Sequence, residues 1–193
     1  MKRLLCTLLA LMMVFGSLFV LSACDEKDKD KDDKATEENT EQPAPEIPEG
    51  YELYENDDIA FVYPTGWSKT ELAGGAGVML LDGNTGNNIT ALGEPYSDIY
   101  KTMTVDEFNK LMKPTLEAQG MTISGVKIEQ VKGKGDLAIT KISYSVKAAN
   151  GTSMKQTIYV VPAGSLNYAI NVTSVKTVEG LLDNVFNSLT AKK

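Results

Sequence analysis

The chain has 193 residues, with 19 basic against 26 acidic side chains, a formal charge of −7 and no histidine. Its only arginine is Arg3, and its only cysteines are Cys6 and Cys24. This composition leaves no place for histidine-based triads, Cys-His dyads or histidine-ligated metals, and an acidic chain is a poor match for nucleic acid.

Lys2 and Arg3 precede an apolar run from Leu4 to about Val20, the layout of a secretory signal. The run ends at Leu21-Ser22-Ala23-Cys24, which resembles the lipobox of bacterial lipoproteins. The resemblance implies that the Cys24 thiol takes a diacylglyceryl group and that a peptidase cuts before it. Residues 1–23 are then a signal peptide. The mature protein would be lipid-anchored in the cell membrane, facing the extracytoplasmic side. An uncleaved transmembrane helix is the competing reading of some twenty apolar residues. The abrupt change to Asp25-Glu26-Lys27-Asp28 favours cleavage. Two acyl chains, at about 0.8 kcal/mol per buried CH₂, anchor far more firmly than one. Cleavage would also leave a single, lipid-occupied sulfur, which excludes intramolecular disulfides and thiolate metal sites.

Residues 24–49 read as the lipidated cysteine and an acidic tether. Between Asp25 and Glu49 stand eleven acids and four lysines. So few apolar side chains cannot offset the entropy of ordering, which predicts disorder. Pro43, Pro45 and Pro48 stiffen its end. As a flexible coil the segment would span about 25–30 Å. Residues 50–193 remain for one domain of nearly neutral charge.

In that domain, Tyr51–Tyr54 and Ile59–Tyr63 are predicted strands, the second stopped by Pro64. Val78–Leu81 and Ile89–Leu92 are predicted strands around a turn rich in Gly and Asn. A helix follows. Thr104 and Glu107 have capping-box spacing, and Met103 and Phe108 are placed for a hydrophobic staple. Val105, Phe108, Leu111, Met112 and Leu116 share one face at helical spacing, Gly120 suits the stop, and Pro114 predicts a kink. Strands are then predicted at Val126–Lys132, Leu137–Val146, Met154–Val161 and Tyr168–Thr173. Their short links, Asn150-Gly151 above all, force antiparallel neighbours. A closing helix is predicted from about Thr177, with Val178, Leu181, Leu182, Val185, Phe186 and Leu189 as its apolar stripe. The fold class is α+β, an antiparallel sheet with helices packed on its faces.

The segment Phe61-Val62-Tyr63-Pro64-Thr65-Gly66-Trp67 resembles the opening "strand, Tyr-Pro-x-Gly-Trp" of PsbP-like domains, a group that includes DcrB-like and other bacterial lipoproteins. The order of elements across residues 50–193 is also similar. The resemblance implies an α/β/α sandwich, no enzyme activity and no cofactor. Plant members of the group are extrinsic subunits that dock on a membrane photosystem, and many bacterial members have no known role. Tyr63, Pro64, Gly66 and Trp67 carry the motif, with Tyr63 and Trp67 expected as packing residues.

Chemistry has few other footholds. Asp57-Asp58 and Asp106-Glu107 are adjacent carboxylates, but neighbours on a strand face opposite ways and acids in a first helical turn favour the dipole. A carboxylate-based hydrolase, and a dyad of Ser143 or Ser145 with Lys141 or Lys147, stay open as alternatives. Gly74-Gly75-Ala76-Gly77 lacks the Lys-Ser/Thr and helix of a phosphate loop and reads as a hairpin loop. Asp82-Gly83-Asn84-Thr85-Gly86-Asn87-Asn88 has one carboxylate, too few for a calcium loop. Lys127, Lys132, Lys134, Lys141, Lys147 and Lys155 lie on neighbouring strands and turns that could line one basic face; edge protection and solubility account for them, with docking to anionic envelope polymers as the alternative. The leading function is a non-enzymatic accessory module binding an unknown envelope protein. A small-ligand-binding lipoprotein serving a transporter is the alternative. With no arginine left for an interface, Tyr51, Tyr54, Tyr96 and Tyr100 are the candidate binding surface.

Overall fold

A computed structural model of the chain describes residues 46–72 and 77–192. No helix among them is long and apolar enough to cross a membrane. The strands are β1 (Tyr51–Glu55), β2 (Ile59–Pro64), β3 (Ser68–Glu71), β4 (Gly77–Leu81) and β5 (Asn88–Pro95), then β6 (Thr122–Lys132), β7 (Ala138–Lys147), β8 (Ser153–Ala163), β9 (Leu166–Ser174) and β10 (Thr190–Ala191). The helices are α1 (Ile99–Thr102), α2 (Val105–Ala118) and α3 (Leu181–Ser188). All strand pairs are antiparallel. The large sheet runs β3-β4-β5-β9-β8-β7-β6, and a small sheet runs β1-β2-β10.

Period-two alternation gives the large sheet two apolar faces. Val78, Leu80, Ile89, Ile139, Tyr159, Ile170 and Val172 point to the first, where they meet Phe61 of the small sheet and Leu181, Val185 and Leu189 around α3. Leu92, Ile142, Tyr144, Val146, Ile158 and Ala169 point to the second, where Phe108, Met112 and Leu116 of α2 cover them. Helices thus lie on both faces, the α+β arrangement expected. The two opening strands leave the main sheet and share the first face with α3. Their burial shows why: every residue from Ile59 to Tyr63 is buried, which an edge strand of the large sheet would not require.

Local rules explain the ends of α2. Thr104 accepts from the Glu107 amide, and the Glu107 carboxylate accepts from the Thr104 amide at 2.9 Å. Gly120 has φ +71°. The Met121 amide donates to the Leu116 carbonyl and the Gly120 amide to the Glu117 carbonyl, the paired bonds of a Schellman stop. Helix α2 continues through the exposed Pro114. Val105 departs from the expected stripe: it sits in the first turn, 39% exposed. The closing helix starts at Leu181 rather than near Thr177. Gly180 at φ +72° ends the preceding turn, and its carbonyl accepts from the Asn184 amide. Strand β6 begins four residues earlier than expected, through a bulge between Ser124 and Lys127 with Gly125 at φ +64°.

Gly77 is fixed by space. A Cβ there would lie 1.9 Å from the Ala91 carbonyl oxygen on β5, whereas one at Gly83 would meet nothing within 4 Å. Gly77→Ala should therefore lower the urea midpoint strongly or prevent folding, and Gly83→Ala should leave it within experimental scatter. Equal effects of the two would contradict this packing.

Candidate functional site

The motif residues form a corner. Tyr63 is buried and donates its hydroxyl to Glu52 at 2.8 Å. Pro64 ends β2 opposite Tyr51, Gly66 turns the chain at φ +83°, and half-buried Trp67 packs against the first core. Tyr63 and Trp67 both pack within the fold.

The four candidate surface tyrosines do not form one surface. Tyr51 is half-buried against the first core, and Tyr54 is buried in it, 5.0 Å from the Phe61 ring. Tyr100 is buried in the second core, where its hydroxyl donates to the buried Glu94. Burial and this carboxylate push the Tyr100 phenol far above its ordinary range. Tyr54 and Tyr100 are therefore core residues, a correction to their assignment as surface. Apolar strand and helix spacing, rather than residue type, was the signal that could have shown it. Tyr96 is 41% exposed.

Tyr96 belongs to a built segment between β5 and α2. Its hydroxyl donates to Asp98 and accepts from Lys101, each at 2.7 Å, and Lys101 also pairs with Asp98 at 2.7 Å. The Lys101 ammonium lies 5.4 Å from the Tyr96 ring centroid. These bonds hold the Asp98 carboxyl low and the Lys101 ammonium high. Beneath them, Tyr100 and Lys101 carbonyls accept from the Gln130 amide, the Tyr100 carbonyl accepts from Thr140, and the Ser97 carbonyl accepts from Asn167. Ile99 and Val105 are 37% and 39% exposed. Among the described residues of the folded part, the exposed large apolar side chains apart from Ile47 all fall in this one segment.

Other expected positions have structural partners. Asp58 accepts from the Tyr168 hydroxyl at 2.7 Å, which ties the small sheet to β9. The loop from Asp82 is an Asx turn, with the Asn84 amide on Asp82 at 2.9 Å and Thr85 donating to its other oxygen. Among the described residues no acid, Cys and His cluster suits a metal. Gly74, Gly75 and Ala76 lie outside the described residues, as do Leu21, Ser22, Ala23 and Cys24. Leu72 and Gly77, on either side of residues 73–76, are joined by a 2.9 Å hydrogen bond from the Leu72 amide to the Gly77 carbonyl.

Two features were not anticipated. On the second face, Asn88, Thr90, Gln156, Asn171 and Thr173 form a polar floor, each at most 2% exposed. Gln156 Nε2 and Asn171 Oδ1 have no hydrogen-bond partner among the described residues. An open groove of about 360 Å³ is lined by Glu46, Pro48, Lys134, Asn184, Asn187 and Ser188.

No family model and no curated protein matches this chain. Solved structures do. Cyanobacterial PsbP (CyanoP) from Synechocystis sp. PCC 6803 aligns with TM-score 0.57 and 16% identity, over 74% of this chain and 93% of that one. A protein from Bacteroides thetaiotaomicron VPI-5482 aligns at 0.44 and 13%, over 70% and 45% of the two chains. LpqN, involved in cell envelope biogenesis of Mycobacterium tuberculosis, aligns at 0.40 and 18%, over 70% and 83%.

Two outcomes test this packing. Tyr100→Phe leaves Glu94 buried without the phenol and should cost about 1–3 kcal/mol of stability, while Tyr96→Ala should cost little; equal costs would contradict the assignment. Stability should also stay level from pH 6 to 9, because no imidazole is present to titrate. Burial pushes the Tyr159 and Tyr168 phenols up to about 12. Their contribution is whole below the unfolded value near 10 and is lost as pH rises through 12. Urea titrations showing a slope between pH 6 and 8 would contradict it. Sheet order, the two-faced core and the agreement with CyanoP together show that this chain carries a PsbP-like fold.

Proposed function

We propose that the protein is a lipid-anchored accessory module of the cell envelope that binds a protein partner without catalysing a reaction. The observation that carries this reading is the segment 96–105. It presents Tyr96, Ile99 and Val105 to solvent on a scaffold fixed from below by Gln130, Thr140 and Asn167. A rigid exposed aromatic beside aliphatic side chains is the composition of an interface anchor. The sequence Leu21-Ser22-Ala23-Cys24 supports placement at a membrane surface. There the anchor raises the effective concentration of membrane partners, so modest contacts suffice.

The full-length chain made with a photo-crosslinking residue at position 99 should capture one protein neighbour in native membranes. The same residue at position 113, on the outer side of α2, should not. With the crosslinker at position 99, Tyr96→Ala should weaken capture about 30-fold, the scale of a hot spot worth 2 kcal/mol. Cys24→Ala should abolish incorporation of labelled fatty acid and reduce capture. Labelled fatty acid persisting in Cys24→Ala, or equal capture from positions 99 and 113, would overturn the reading.

A further inference from the structure

The first face of the large sheet is only partly covered. The apolar core on that side ends at Val131, Ile139, Tyr159 and Val172. Beyond it the register continues the same face through β6, β7 and β8. Lys141 stands opposite Glu129 and Tyr159, Ser143 opposite Lys127 and Thr157, and Ser145 opposite Ser124 and Lys155. Lys147 closes the row opposite Thr122 and Ser153. Every residue outward of the apolar core on this face is Lys, Ser or Thr, except Glu129.

Lys127, Lys147 and Lys155 are exposed and Lys141 is half-buried. None of the four makes an ion pair with a described residue, whereas Lys69, Lys101, Lys113, Lys132 and Lys192 all do. Lys132, grouped with them in the sequence, pairs with Asp136 instead. Four cations against one acid make this a positive patch on a chain of net charge −7. Unpaired like charges on adjacent strands repel one another, which costs stability.

We propose that this face binds an extended phosphate-bearing polymer. From Lys141 to Lys147 the row runs about 20 Å along the strand, and three strands make it about 10 Å wide. That is a track long enough for several successive phosphates. Lysine meets phosphate as a point charge, and the intervening hydroxyls donate hydrogen bonds to its free oxygens. The exposed large apolar side chains of the described residues, Ile47, Tyr96, Ile99 and Val105, all lie elsewhere. The track therefore lacks the aromatic anchors of a protein interface or of base stacking, and the apolar residues that enter a bilayer. This inference does not depend on the protein partner proposed above, which uses a different surface.

The test uses the full-length chain in phosphatidylcholine nanodiscs, with long-chain inorganic polyphosphate as the probe. Polyphosphate should bind and shift the amides of Lys127, Lys141, Lys147 and Lys155. With four contacts on a flexible strand and a log–log slope near −2.8, affinity should fall about 50-fold from 50 to 200 mM salt. Lys147→Glu with Lys155→Glu, both exposed, should weaken binding at least tenfold, and Lys110→Glu on α2 less than twofold. Absence of binding at 20 mM salt, or equal losses from both variants, would overturn the proposal. So would two rival occupants. Shifts of the same amides in phosphatidylglycerol nanodiscs without polyphosphate would assign the face to the membrane. Displacement of polyphosphate by an equimolar peptide of residues 25–45 would assign it to the chain's own acidic segment.

Discussion

Strand β9 and β8 from Gln156 onward have almost no solvent face, and the rest of the fold follows from that. Seven of the nine residues of β9 are buried, from Asn167 through Thr173. Its even positions carry Tyr168, Ile170 and Val172 to one side, and Ala169 faces the other. A sheet apolar on both faces needs two covers. Helix α2 supplies one. The small sheet and α3 together supply the other, and polar bonds pin that cover in place. The Ser188 hydroxyl accepts from the Val62 amide at 2.9 Å and donates to the Val185 carbonyl, joining α3 to β2. The Tyr168 hydroxyl on Asp58 holds the β1–β2 turn. Fully buried Asn87 accepts from the Val175 and Lys176 amides and fixes the chain leading into α3.

Much of this was legible in the sequence because it rests on local rules. Alternation marked β6 to β9, Asn150-Gly151 marked their turn, and Thr104 with Glu107 marked the start of α2. What was not legible depended on partners distant in the chain. Strand β3, Ser68–Glu71, is wholly exposed and has no apolar pattern; it exists because β4 offers an edge. Strand β10 is two residues held by β2. The tyrosines show the same limit. Tyr100 and Tyr96 lie four residues apart and are chemically alike, yet Glu94 draws one inward and Asp98 with Lys101 holds the other out.

The mismatch between a seven-stranded sheet and its smaller second cover has a functional consequence. The cover reaches only as far as Val131 and Ile139, so the outer part of β6, β7 and β8 stays open on that side. Polar residues there are required by solvent; four lysines without an ion-pair partner among the described residues are not. The exposed segment 96–105 arises differently, where β5 outruns the cores and turns into α1. The fold thus separates two surfaces of different chemistry, one aromatic and aliphatic, one cationic, on a domain that an acidic segment precedes in the sequence.

Native-state hydrogen exchange measures the central claim most directly, because it ranks amides by the opening that exposes them. If double-sided burial of β8 and β9 organises the fold, the amides of Ile158–Val161 and Ala169–Val172 should be the slowest. They should exchange only through global unfolding, with a urea dependence equal to that of the whole domain, while those of β3 and β10 exchange through local opening. Exchange of β8 and β9 amides at the rate of β3, or with no urea dependence, would contradict the account.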